Sequence, residues 1–224
     1  MTTQLEQEIE AARQLLLAMA RHAEAAVARA VRALVEGDGD LARSVIADDG
    51  IVDHCEVEID ERVINLLSKA LLGADLRLMI VTMKISHDLE RVADEATTIA
   101  RRAIAMDAKP EPAQAAEIQR IAGRALAMLK EAVEGFASRQ PEKALAVIPR
   151  DDEVDALNRR YHRELTAQMQ EQRGGVNDCV SLMVVSKSLE RVADHAVSIA
   201  EEAVYLCEGE DIRHASHGDP AASA

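Results

Sequence analysis

Glu90 and Asp94 stand four residues apart in the run Glu-Arg-Val-Ala-Asp, and the same five residues return at positions 190–194. On a helix, residues four apart share a face and lie about 6 Å apart along the axis. Two carboxylates placed in this way repel each other by about 0.2–0.5 kcal/mol when exposed. A cation is therefore expected close to each pair. Each motif already contains one, because Arg91 and Arg191 stand three residues before Asp94 and Asp194.

A second kind of acidic pair repeats upstream. Asp49 and Asp53 enclose Gly-Ile-Val, and Asp151 and Asp155 enclose Asp-Glu-Val, at an offset of 102. Val45-Ile46 and Val147-Ile148 share that offset. Carboxylates on facing helices make an oxygen-rich site for hard cations, and one carboxylate can bridge two ions. Iron, manganese, magnesium and zinc all suit such donors, and the alternative is a solvated acidic face. A ferritin-type di-iron centre needs Glu-x-x-His, and none of the seven histidines has glutamate three residues before it. His87 stands three residues before Glu90 as a candidate peripheral ligand, with Lys187 in its place in the second copy. His195 likewise has Glu95 as its counterpart.

The elements that carry these residues are helices. The Glu-Arg-Val-Ala-Asp motif is preceded and followed by matching residues: Met83, Ser86, Leu89, Ala96, Ile99, Ala100 and Ala103 recur 100 positions on. Such self-similarity means two structurally equivalent halves. Abundant Ala, Leu, Glu and Arg, with 10 Gly and 5 Pro in 224 residues, favour helix throughout. Breakers divide the chain into six helical segments, near residues 5–35, 41–71, 76–106, 113–138, 141–172 and 177–206. Pro149 should kink the fifth or delay its start. The expected fold is all-α, two tandem three-helix bundles related by an internal repeat. Residues 1–108 form the first, 113–208 the second, and 209–224 a largely disordered tail.

Composition narrows the partners. The net charge is −14, and there is no Trp, one Phe and two Tyr. Such a chain is repelled by phosphate backbones and has few rings to stack on bases, so no nucleic acid is expected as a partner. Basic protein surfaces and metal cations suit it better. Three cysteines without a Cys-x-x-Cys spacing read as reduced thiols. The acidic, polar start is unlike a signal peptide, and the apolar run at 15–20 is too short to cross a bilayer. Neither a nucleophile–base arrangement nor a nucleotide fingerprint is found, and no catalysis is expected.

The duplicated Glu-Arg-Val-Ala-Asp, each after an apolar stretch with Ser-x-x-Leu before the Glu, resembles the signature of the PhoU family of phosphate-uptake regulators. Asp75-Leu76-Arg77 resembles that family's entry to its third helix, and Gly209-Glu-Asp211-Ile-Arg213-His214 its ending. The likeness spans residues 5–214, with Ala93 and Ala193 where the family usually has Gly. It implies a non-enzymatic cytoplasmic adaptor, a negative regulator of phosphate uptake and of the phosphate-starvation response. Its implied partners are a phosphate ABC transporter ATPase and a membrane sensor histidine kinase, with the membrane reached only through them. A homodimer is also implied. So are divalent or trivalent metal ions, in mononuclear or multinuclear centres, at Glu90, Asp94, Glu190 and Asp194, with Asp49, Asp53, Asp151 and Asp155 facing them. Two alternatives remain: a regulator of another membrane transporter, or a metal-binding or storage protein.

Overall fold

The computed structural model describes residues 3–69, 73–171 and 175–213. Among these the chain is helical, without a strand. Helix α1 (Gln4–Glu36) starts at a capping box, in which Thr3 Oγ1 accepts from Glu6 N–H and Glu6 returns a carboxylate to Thr3 N–H at 2.7 Å. It stops at Gly37, whose φ of 71° leaves the helical region without a Cβ penalty. Asp38 then caps α2 (Gly39–Ala47), accepting from Leu41 N–H at 2.9 Å. Helices α3 (Gly50–Leu67) and α4 (Ala74–Ala105) complete the first half.

The second half repeats the plan. Pro112 opens α5 (Pro112–Ser138), where its missing N–H costs nothing. Then follow α6 (Pro141–Leu145), a 3₁₀ turn (Ile148–Arg150), α7 (Asp151–Gln170) and α8 (Val176–Glu208). The turn around Pro149 delays the long helix as expected. The matching break in the first half is a correction, because residues 41–67 do not form one continuous helix. At Asp48-Asp49 the hydrogen bonds tighten, with Ile51 N–H and Val52 N–H donating to carbonyls only three residues back. Three weak helix formers in succession, Asp48, Asp49 and Gly50, permit this. Arg29 fixes it from α1, donating to Asp48 at 2.8 Å and to Ser44 at 2.8 Å. Both middle helices are thus interrupted just before their Asp-x-x-Val-Asp motif.

The two halves share one continuous core of Ala, Leu, Val, Ile and Met, with Phe136 and Tyr161 its large aromatic members. Their joint is the pair α4 and α8, supported by α1 against α5. Polar bridges across α4 and α8 show that the two run antiparallel. Lys84 meets Glu202 at 2.9 Å, Asp88 meets His195 at 2.9 Å, and Glu95 meets Arg191 at 3.1 Å. In that register the two Val-Ala pairs stand level with each other and all four residues are buried, with Ala93 turned toward Ala26 of α1 and Val45 of α2. The duplicated motif therefore lies at the level about which the two halves are related.

The chain after α8 turns at Gly209, with φ of 77°, and doubles back. Ile212 packs against the core, and Arg213 reaches Glu202 at 3.3 Å. Arg77 lies over the Tyr205 ring at 5.5 Å and beside Gly209. Residues 214–224, the rest of the expected disordered tail, lie outside the described residues, as do the ends expected for the second and fifth segments.

Candidate metal centres

The interruption before α3 sets Asp49 at its first turn, and α3 then carries Asp53 and Glu56 toward α4. From α4, His87, Glu90 and Asp94 project on successive turns. Thr97 donates its hydroxyl to Asp49 Oδ1 at 2.9 Å, tying the two helices at one end. At the other end His87 Nδ1 lies 3.2 Å from Glu56 Oε1. Ligand atoms of Glu56, His87 and Glu90 all fall within 4.8 Å of one another. Two atoms on one ion at about 2.0–2.2 Å stand up to about 4.4 Å apart. Small side-chain rotations bring these three onto a common ion.

The electrostatics are those of crowded like charges. Burial pushes the Asp53 carboxyl above its ordinary range, and Asp49, Asp94 and Glu56 add to the rise. Glu90 is raised in the same way, first by burial and then by Asp94. Arg91 compensates in part, lying 3.3 Å from Glu90 and 3.4 Å from Asp94 on a half-exposed side chain.

In the second half Asp151 opens α7, Asp155 follows one turn later, and Glu190 and Asp194 face them from α8. Burial raises Asp151 to about 6, and Asp194, Asp155 and Glu190 contribute. Asp194 is raised too, chiefly by burial, with Lys187 opposing. Lys187 pairs with Glu190, Asn158 donates to the other Glu190 oxygen, and Arg159 holds Asp155 at 2.9 Å. Asp151 Oδ1 is buried with no hydrogen-bond partner. Such an orphan costs about 1–3 kcal/mol unless a proton or cation meets it.

Like-charge interactions link the eight residues singled out by the sequence, four in each half, and of the eight only Glu90 stands in a compact ligand set among the described residues. The sequence reading did not single out Glu56 or Asn158. Both stand three residues beyond the Asp-x-x-Val-Asp motif, at the same offset of 102, and extending the repeat by one turn finds them. The donors suit a metal ion: carboxylates in excess of cations, one imidazole, and a buried oxygen without a donor. Bound there, a divalent or trivalent cation would supply the positive charge that the two clusters lack. Cys55, Cys179 and Cys207 are free thiols apart from these clusters.

Comparison with known proteins agrees with the repeat. The PhoU domain profile matches twice, at residues 16–103 and 118–203. A phosphate-specific transport system accessory protein PhoU homolog of Rhizobium meliloti (strain 1021) is 40% identical over 189 residues, covering 84% of this chain and 80% of that protein. The crystal structure of PhoU from Pseudomonas aeruginosa superposes with a TM-score of 0.87 at 36% identity, covering 92% of this chain and 100% of that one. PhoU from Streptococcus pneumoniae shares the fold, with a TM-score of 0.86 at 24% identity over 93% of this chain and 99% of that one. With both repeats matched separately and the likeness running along nearly the whole length, the chain belongs to the PhoU family.

Proposed function

We propose that this protein is a regulator of phosphate uptake that restrains the transporter and the starvation response when phosphate is plentiful. It acts as a non-enzymatic cytoplasmic adaptor between a phosphate ABC transporter ATPase and a membrane sensor histidine kinase. It works as a homodimer and holds metal ions at its two carboxylate clusters. The observation that carries this reading is the end-to-end likeness to accessory proteins of phosphate-specific transport systems. Two further features support it. No described helix is long and apolar enough to cross a membrane, so the membrane is reached through partners. The charge of −14 favours basic protein surfaces over nucleic acid or anionic lipid.

Held by these carboxylates, metal ions would act as structural cations, supplying the positive charge against which the acids of α3 and α4, and of α7 and α8, could pack. The test has two arms. Deleting the gene in its own host should raise phosphate uptake in phosphate-rich medium, and pull-downs at high phosphate should recover the ATPase and the kinase. Unchanged uptake, with neither partner recovered, refutes the adaptor role. In the second arm, Mn²⁺ or Fe²⁺ should raise the melting temperature over that in chelator by mass action. Asp94→Asn should lose much of that rise. Identical melting of the wild type in metal and in chelator refutes the metal sites and leaves the adaptor role to the first arm.

A further inference from the structure

The repeat makes each cluster a control for the other. The offset that pairs Asp53 with Asp155 pairs Glu56 with Asn158, and the offset that pairs Glu90 with Glu190 pairs His87 with Lys187. Both exchanges fall at the end of the clusters away from Asp49 and Asp151. In the first half, ligand atoms of Glu56, His87 and Glu90 lie within 4.8 Å of one another. In the second half the same places hold donors. Lys187 Nζ donates to Glu190 Oε1, and Asn158 Nδ2 donates to Glu190 Oε2. A protonated amine has no lone pair to offer a metal, whereas neutral imidazole does.

The charge balance differs in the same sense. The second half has four clustered acids, the ammonium of Lys187 and the guanidinium of Arg159 on Asp155, and its motif arginine, Arg191, turns away to Glu95 across the joint. The first half adds a fifth carboxylate, Glu56. Its Arg91 is half exposed at 3.3–3.4 Å from Glu90 and Asp94, and Arg191 shows that an arginine at this position can leave.

We propose that the two halves are unequal cation sites: the first takes a transition-metal ion through His87, Glu56 and Glu90, while in the second Lys187 occupies the place of that cation. What remains in the second half is an all-oxygen set, Asp151, Asp155 and Asp194, which suits only a harder, more weakly held ion. This inference rests on the metal reading above and assigns the metal preference of each half.

The experiment is titration of the metal-free full-length protein with Co²⁺, followed by visible absorption and by calorimetry. The wild type should show a high-affinity class of binding with a nitrogen-influenced cobalt spectrum, and a second class at least about tenfold weaker. His87→Lys should abolish the high-affinity class and its spectrum. The double change Lys187→His with Asn158→Glu should create a second high-affinity class with the same spectrum. The side chains of His87 and Lys187 are 58% and 47% exposed, so exchanging them leaves the core alone; Asn158 is buried, so Lys187→His is also measured by itself and circular dichroism checks the fold of each variant. Equal affinities in the two halves, or a high-affinity class that survives His87→Lys, would overturn the inequivalence and leave the metal reading standing. Absence of binding in the wild type and in the double variant would overturn both.

Discussion

Asp151 gives the sharpest test of how the clusters are balanced. Its carboxyl is raised from 3.8 to about 6. The folded state therefore binds the proton more tightly than the unfolded chain does, so stability falls as pH rises through this window and levels off above it. Taken at face value, the shift corresponds to about 3 kcal/mol against folding at pH 8. Asp151 is only partly buried, and solvent screening reduces this to about half. Asp151→Asn removes that penalty. It also removes a charge from the first turn of α7, where an acid favours the helix dipole by about 0.3–1 kcal/mol, although Asp152 and Glu153 remain there. The expected net effect in chelator at pH 8 is a gain of roughly 1 kcal/mol, or about 2–4 °C in melting temperature. Urea unfolding at pH 8 and pH 5 reads it, and the gain from lifting the penalty should fall to about half at pH 5. Excess Mn²⁺ should reverse the sign, because the wild-type carboxylate then has a cation. A variant that is less stable than wild type in chelator at pH 8, or equally stabilised at both pH values, would refute the account of Asp151 as an uncompensated buried charge.

Other perturbations probe the joint and the doubled-back end. Ala93→Leu overfills the packing of α4 against α1 and α2, where Ala93 is buried beside Ala26 and Val45, and should cost about 1–3 kcal/mol in urea unfolding; unchanged stability would mean the helices do not pack closely there. Glu202 is buried and serves both Lys84 and Arg213. Glu202→Gln should cost about 1–3 kcal/mol and expose the chain after residue 208 to trypsin, and unaltered cleavage would count against the bridge. Gly209→Ala would place a Cβ at a φ of 77° and 2.9 Å from the Arg77 guanidinium, for a loss of about 1–2 kcal/mol, measured as a fall in melting temperature; a melting temperature equal to wild type would contradict this strain.

The helices and the duplication are legible in the sequence because both are periodic signals. Residues such as Leu16, Met19, Ala23 and Val27 mark one face of α1, and all are buried. The eight acids are legible for the same reason, since they recur at fixed offsets. Other features are not legible in that way. Hydrophobic spacing shows that α4 and α8 have buried faces but does not show that they bury them against each other. That pairing depends on the long-range bridges Lys84–Glu202, Asp88–His195 and Glu95–Arg191. The interruption at Asp48-Asp49 leaves the apolar spacing of Val45 and Val52 intact, so a change from four-residue to three-residue hydrogen bonds leaves no trace in the pattern. Glu56 and Asn158 differ between the copies, and a search for identity passes over them. The difference becomes informative once their shared place beside Glu90 and Glu190 is known.

The joint between α4 and α8 has the geometry of a symmetric dimer held within one chain. Each half meets the other through equivalent faces of α4 and α8, about an axis at the level of Val92 and Val192, as two copies do in an isologous contact. A three-helix ancestor that self-associated through this face would give this molecule on tandem duplication and fusion. In a true dimer every substitution at the contact is made twice, so a residue must tolerate its own image. Fusion removes that restriction. Glu95 and His195 occupy equivalent places, yet one binds an arginine and the other an aspartate. Asymmetry of this kind is open to a fused pair and closed to identical subunits, and it lets a single chain present two different faces to two different proteins.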